Sequence, residues 1–286
     1  MIKRWIAAGR DGEIYDRVRM KLSHSDPEIR EKAAWFKRQP GCAELFSESE
    51  PQVKGTPTLH ITRREPFLSW NEERLHFHPS MALLRLINIF RGEDDRFLHA
   101  VGLKRGDRFL DLTLGLGTDA LIAAWAVGEE GSVLGVERSA VLGALVRDGL
   151  LRLNAAALPP LKNELKFQAW AALKDVSSRI QVVWAEHLSY LSALPSASAD
   201  VVYFDPMFRH TRRESSSLRP LRDWADPREL LPEAVRQACR VARRRVVLKE
   251  RKDSAQFSRL GFVVCPGGKY SPVDFGVIEV IACRRS

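Results

Sequence analysis

From about residue 107 onward, short apolar runs alternate with amphipathic stretches, and this rhythm constrains the chain more than any other feature. The apolar runs predict strands over 108–112, 132–136, 180–184, 200–204, 245–249, 262–265 and 277–283. Between them, helices are predicted over 117–127, 139–153 and 227–242. Strand–helix alternation at this spacing predicts a parallel sheet with helices on both faces. Val201-Val202-Tyr203-Phe204, apolar throughout, fits a strand buried on both sides. Residues 154–178 read as an alanine-rich helical insertion. The first hundred residues follow another pattern. Ser25-Asp26-Pro27-Glu28 reads as a capped helix start, and Pro40-Gly41 as the stop. Residues 47–57 read as a loop. Thr58–Thr62 and Leu75–Phe77 alternate like strands, with Trp70-Asn71-Glu72-Glu73 as the turn between them. Pro79 opens an apolar-periodic helix through Met81, Leu83, Leu84, Ile87 and Phe90. The expected organisation is an α+β appendage with a linking helix over 1–104, then an α/β domain over 105–286.

Composition narrows the function classes. The four cysteines (Cys42, Cys239, Cys265, Cys283) are widely spaced, which argues against a zinc ribbon or disulfide scaffold and suits a reducing, cytoplasmic setting. No apolar run reaches the roughly 18–20 residues of a membrane span, and Asp11 interrupts the N-terminus before any signal-like stretch. The 45 Lys+Arg against 36 Asp+Glu give a net +9 over 286 residues. Residues 201–260 hold 15 of the basic and 8 of the acidic residues, a net +7. A local basic excess raises nucleic acid as a partner. On charge alone, a solvated arginine-rich surface is slightly favoured.

The first predicted strand runs into Asp111-Leu112-Thr113-Leu114-Gly115-Leu116-Gly117-Thr118-Asp119-Ala120. Glycines at a strand-to-helix turn let backbone approach a ligand beside the positive end of a helix. Glu137 ends the second strand, 20 residues after Gly117, where a carboxylate can accept both hydroxyls of a ribose. Three readings fit. Gly115-x-Gly117-x-x-Ala120 satisfies the loose dinucleotide fingerprint of a nicotinamide dehydrogenase. A merely structural turn is a minority reading. The whole segment more closely resembles the Asp-x-x-x-Gly-x-Gly turn of S-adenosylmethionine-dependent methyltransferases, in which the leading acid, here Asp111, lies near the methionine moiety. Without Gly-Lys-Ser/Thr, it is not a nucleotide-hydrolysing P-loop.

The fourth strand delivers Asp205-Pro206-Met207-Phe208. A carboxylate, a proline and an aromatic at a strand's carboxyl end resemble the motif of amino-group methyltransferases. An exocyclic base amine is a poor nucleophile because its lone pair is delocalised into the ring. Hydrogen bonds from that amine to Asp205 and to the Pro206 carbonyl favour an sp³-like nitrogen, and Phe208 can stack on the base. Positioning then supplies much of the rate of an in-line transfer.

Together these segments resemble the bacterial 16S rRNA guanine-N2 methyltransferases of the small-subunit J type. The resemblance rests on Asp205-Pro-Met-Phe208 with His210, and on the glycine turn from Asp111 to Ala120. Arg91-Gly92-Glu93, Val146-Arg147-Asp148-Gly149-Leu150 and Val246-Val247-Leu248-Lys249 extend it over about residues 75–285. His76-Phe77-His78-Pro79-Ser80-Met81-Ala82 matches a branch found in Gram-positive bacteria. Arg209 stands where the family usually has proline, Thr211 where it has lysine, and Thr118 where it has arginine. The resemblance implies a seven-stranded Rossmann-like class I methyltransferase sheet, α/β in class, with S-adenosyl-L-methionine as cofactor. It implies catalytic Asp205, Pro206 and Phe208. It places Asp111, Thr113, Gly115, Gly117, Asp119, Glu137 and Arg138 at the cofactor, and 16S rRNA or the small ribosomal subunit as partner.

Other residues admit two readings each. Glu186, after the third strand, can accept from the adenine amine or be an ordinary surface glutamate. The basic run Arg209, His210, Arg212 and Arg213 follows the catalytic motif directly, which favours RNA phosphates over a neutral loop. Lys249 can meet a phosphate or cap the sheet. His76 and His78 share a strand face but lack a convincing third ligand, so no metal site is expected. The expectation is a methyltransferase acting on an exocyclic base amine of RNA, most simply guanine N2. A methyltransferase on DNA adenine, protein or a small molecule is the nearest rival, then a non-catalytic RNA-binding relative.

Overall fold

The computed structural model describes residues 18–46, 56–70, 73–160, 162–206, 229–265 and 271–280, and the backbone alone of 7–8 and 14–15. The chain begins with β1 (Ala7–Ala8), β2 (Ile14–Tyr15), β3 (Arg19–Leu22), α1 (Pro27–Lys37), β4 (Thr58–Ile61), β5 (Phe67–Trp70) and β6 (Glu73–Leu75). Helices α2 (Ser80–Phe90) and α3 (Arg96–Val101) lead into the larger domain. That domain comprises β7 (Arg108–Asp111), α4 (Thr118–Val127), β8 (Ser132–Glu137), α5 (Ala140–Ala155), α6 (Glu164–Ser177), β9 (Ile180–Trp184), α7 (His187–Ala193) and β10 (Ala199–Phe204). It continues through α8 (Pro232–Val241), β11 (Ala242–Arg251), α9 (Ala255–Arg259), β12 (Val263–Cys265) and β13 (Val273–Glu279).

The large sheet has seven strands in the order β12-β13-β11-β10-β7-β8-β9. Strands β11, β10, β7, β8 and β9 run parallel, but β13 is antiparallel to both β11 and β12. The sheet is therefore mixed, not wholly parallel as the alternation predicted. Only seven residues separate β12 from β13, too short for the crossover that parallel strands require. Helices cover both faces. Phe109, Val201 and Tyr203 belong to the core on the α2–α6 side, while Leu110, Val202 and Phe204 pack on the α7–α9 side. The β-strand period of two thus places Asp111 and Tyr203 on one face, opposite each other in register.

The predicted 154–178 insertion is helical over Glu164–Ser177. Helix α5 runs to Ala155, and α6 begins at Glu164, capped by the Asn163 side chain accepting from Lys166 N. The last strand lies at Val273–Glu279, earlier than predicted, and residues 281–286 are outside the described ones.

In the appendage, β3-β4-β5-β6 form a four-stranded sheet whose inner face is covered by α1. Asp26 caps α1, its carboxylate accepting from Ile29 N at 3.0 Å, with Pro27 at the first helical position as expected. Strand β5 was not expected. The Trp70–Glu73 turn joins β5 to β6, and Asn71 and Glu72 within it lie outside the described residues. The appendage is fastened to the large domain. The Phe77 ring covers Gly149 so closely that an added Cβ would lie 2.1 Å from Cγ, and Gly41 packs likewise on the Trp184 indole.

Candidate functional site

The carboxyl ends of β7, β8 and β10 meet at one place. Asp111 ends β7 and is 1% exposed. The chain then turns through Gly115 (φ 53°) and Gly117 (φ 76°), left-handed conformations that favour glycine, and Gly117 opens α4. Glu137 ends β8 and reaches across: Gly115 N donates to Oε2 at 3.1 Å and Ser139 N to Oε1 at 2.8 Å. These bonds fix the carboxylate beside the turn. Thr113 links the two motifs read from the sequence, because its Oγ1 accepts from Asp205 N at 2.6 Å.

Asp205 sits inside an ionic network. Lys249, on β11, donates from Nζ to Asp205 Oδ2 at 2.7 Å and to Asp119 Oδ2 at 3.3 Å. Asp119 Oδ2 also accepts from the Tyr203 hydroxyl at 2.8 Å. Asp119 Oδ1 accepts from Arg85 Nη1 at 2.5 Å, and Arg85 also grips Asp95 through two bonds of 2.8 Å. Burial alone would raise the Asp119 carboxyl, but Lys249 and Arg85 outweigh it and hold Asp119 below its ordinary range. Asp205 stands above the ordinary range because burial, and then the Asp119 charge, exceed what Lys249 returns. Burial would lower the Lys249 ammonium, yet Asp119 and Asp205 keep it raised and therefore charged at neutral pH.

Asp111 is different. It accepts from Thr113 N at 3.0 Å and has no cationic partner among the described residues. Burial raises it well above the carboxylate range, and Asp119, Asp205 and Glu137 add to that. A buried acid in this position calls for a cation.

The predicted residues thus divide. Asp111, Thr113, Gly115, Gly117, Asp119, Glu137, Asp205 and Lys249 come together at the strand ends. Lys249, read from the sequence as meeting a phosphate or capping the sheet, engages Asp205 and Asp119. Glu186 caps α7, accepting from Ser189 N at 2.8 Å. Arg138 follows Glu137, and its carbonyl accepts from Trp184 Nε1 at 2.9 Å. Pro206 continues the strand end, whereas Phe208, Arg209, His210, Arg212 and Arg213 lie outside the described residues. Arg85, Asp95 and Tyr203 were not anticipated. The signal for Arg85 was a lone cation inside the apolar helix Ser80–Phe90. No cluster of three metal-ligating side chains occurs among the described residues.

A sequence model of the SAM-dependent methyltransferase family matches residues 77–260. The chain belongs to that family. It is 41% identical over 227 residues to YpiP, an uncharacterized protein of Bacillus subtilis, covering 77% of this chain and 81% of that one. It is 36% identical over 124 residues to Ribosomal RNA small subunit methyltransferase J of Laribacter hongkongensis, covering 43% and 38% of the two chains. The corresponding enzyme of Aeromonas salmonicida is 34% identical over 167 residues, covering 55% and 59%. The matched stretches therefore span less than two thirds of these two rRNA enzymes. A solved SAM-dependent methyltransferase from Neisseria gonorrhoeae shares the fold, with a TM-score of 0.61 at 17% identity over 92% of this chain and 95% of that one.

The cofactor of this methyltransferase is S-adenosyl-L-methionine, and the residues fit it better than a nicotinamide dinucleotide. Its amino-acid end carries an ammonium, the cationic partner that Asp111 lacks. Glu137, oriented by the two amides, would hold the ribose, and the glycine turn lets the backbone close on the ligand. When bound, the cofactor supplies an electrophilic methyl group.

Proposed function

We propose that this methyltransferase acts on an exocyclic base amine of RNA, with guanine N2 of 16S rRNA as the target. The observation that carries the reading is the Thr113–Asp205 bond. It ties the backbone that carries the Asp205 carboxylate to the cofactor turn, so both reactants would be held by one strand-end assembly. Asp205 would accept a hydrogen bond from the amine while Lys249 fixes its other oxygen, and the Pro206 carbonyl would accept a second. The nitrogen lone pair is then directed at the methyl group, and proximity supplies the rate. Forming the N–C bond would break the sulfur–methyl bond, leaving the neutral thioether, and the excess proton on the nitrogen could pass to Asp205, whose proton affinity is raised. The base must leave its stack to reach such a strand end. Relatives named as Ribosomal RNA small subunit methyltransferase J support an RNA acceptor.

The test is methyl-acceptor profiling with labelled S-adenosylmethionine against 30S particles, free 16S rRNA, duplex DNA and protein. Labelling of small-subunit RNA from a deletion strain, at one guanine N2, is expected. Labelling of DNA or protein alone would overturn the reading.

A further inference from the structure

The appendage sheet has two faces of opposite character. Leu59, Ile61, Leu68 and Leu75 point inward and are buried in the core with Ile29 and Phe36 of α1. Strand alternation then turns Arg19, Lys21, His60, Phe67, Ser69 and Arg74 to the other side. The register sets Lys21 beside His60 and His60 beside Phe67, with Ser69 beside Arg74 in the next row. Lys21 and Arg74 are exposed, and Arg19, His60 and Phe67 half-buried.

The side chains on this face are ordered. The His60 and Phe67 rings stack, with centroids 4.3 Å apart and planes within 5°. The Arg74 guanidinium lies 5.0 Å from the Phe67 ring centre. His60 Nε2 is 2.7 Å from Ser69 Oγ. Glu73, the one acid in these four strands, alternates to the same side as Leu75. Burial, and then the charges of Lys21 and Arg74, hold His60 below its usual range, which favours the uncharged ring.

Among the described residues this face carries no acid, and its cations, spaced around stacked rings, match a single nucleic-acid strand. Cations meet phosphates, and rings receive unstacked bases. We infer that the outer face of β3-β4-β5-β6 binds a single-stranded segment of RNA, positioning the substrate for the strand-end site. This rests on the reading that the substrate is RNA. The appendage is also placed for that task. Arg147 Nη1 donates to Gln39 Oε1 at 3.0 Å, and Lys32 pairs with Asp148 at 3.8 Å. Gly41 closes on Trp184, which donates to the carbonyl following Glu137. RNA held on the appendage is thereby held on a body attached at the cofactor end of the large sheet.

The test uses the full-length protein and a fluorescein-labelled single-stranded 12-mer of oligouridylate, with anisotropy titrations between 50 and 200 mM salt on the order of physiological strength. A K21A/R74A double variant should lower the slope of log K against log salt by about 1.4, about 0.7 for each phosphate no longer neutralised on a single strand. Phe67→Leu, which keeps the site apolar and removes the stacking ring, should weaken binding by about fivefold or more. Unfolding should stay cooperative, with at most the small loss of the ring contacts, and S-adenosylhomocysteine affinity should stay at the wild-type value. Wild-type affinity and slope in both variants, or equally tight binding of an oligoglutamate peptide, would overturn the inference. The two readings fail separately. If RNA binds through this face yet no RNA is methylated, the binding face stands, and its positioning role falls with the RNA-methylation reading. If RNA is methylated and the variants bind it normally, the reverse holds.

Discussion

Lys249→Met is the most informative single perturbation, because it keeps the aliphatic stem and removes only the charge. Its ammonium lies 2.7 Å from Asp205 Oδ2 and 3.3 Å from Asp119 Oδ2. At an effective dielectric of about 20 these distances give gross attractions of about 6 and about 5 kcal/mol. Removing the ammonium also removes its own desolvation cost, so breaking such a pair costs roughly 3–5 kcal/mol net. The side chains are 23% and 25% exposed for Lys249 and Asp205, which places the expected loss near the lower end, about 3 kcal/mol at pH 8. The pH dependence has a definite sign. In the wild type, depressed Asp119 contributes stability that is present above its unfolded pKa and lost as pH falls through its folded value. Raised Asp205 does the opposite and costs stability as pH rises through its folded value. Without Lys249 both carboxyls move upward, so the deficit is largest at high pH and shrinks as acid neutralises them. Shared between the two acids, about 3 kcal/mol corresponds to roughly one pKa unit each. Urea unfolding at pH 5 and pH 8 reads the stability, and the acid limb of kcat should move up by about one unit. Equal stability of variant and wild type at pH 8, or an unmoved acid limb, would refute the ionic account of this network.

Asp205→Ala should abolish methyl transfer while S-adenosylhomocysteine affinity stays near wild type by calorimetry, because the bond to Thr113 uses the backbone N–H of residue 205; loss of cofactor binding would count against the acceptor role. The wild-type kcat should decline on the acid side at a pH above that of an ordinary aspartate, since Asp205 must be ionised to accept from the amine and its pKa is raised. Glu137→Gln should weaken S-adenosylhomocysteine binding by about tenfold, the difference between charged and neutral hydrogen bonds, and an unchanged affinity would remove Glu137 from the ribose site. Gly149→Ala forces a Cβ to within 2.1 Å of Phe77 Cγ; it should cost about 1–3 kcal/mol, seen as a lower urea midpoint at unchanged slope, and it would separate overpacking from catalysis if the cofactor still binds.

The strands that carry the site were legible because β7, β8 and β10 are short, largely buried apolar runs that end at Asp111, at Glu137 and just before Asp205. Strand β5 was not, because four residues between Arg63-Arg64-Glu65-Pro66 and Asn71 offer too short a period to stand out. The reversal of β13 depends on a connection length, not on the strand's own residues. Within the site, contiguous motifs carried Asp111, Gly115, Gly117, Glu137 and Asp205. The network around them did not show. Arg85 meets Asp119 across 34 residues, and Tyr203 meets it across 84. No local pattern encodes such a meeting; it follows from α2 lying over α4 and from the register of β10 on β7.

That network explains why an enzyme would spend buried charge at this point. Removing Asp119 from water is costly, and a hydrophobic residue there would pack as well. A hydrophobic residue could not, however, hold Lys249 between two acids. Asp119 belongs to the helix that the glycine turn starts, and Asp205 directly follows the strand end proposed to present the acceptor. With Lys249 bonded to both, and Thr113 bonded to the Asp205 backbone, the two sides share a common frame. An in-line transfer is sensitive to displacements on the order of 1 Å. The buried ion pairs are therefore better understood as setting the distance between cofactor turn and acceptor carboxylate than as contributing net stability, since the same volume filled with apolar side chains would fold at least as well and align nothing.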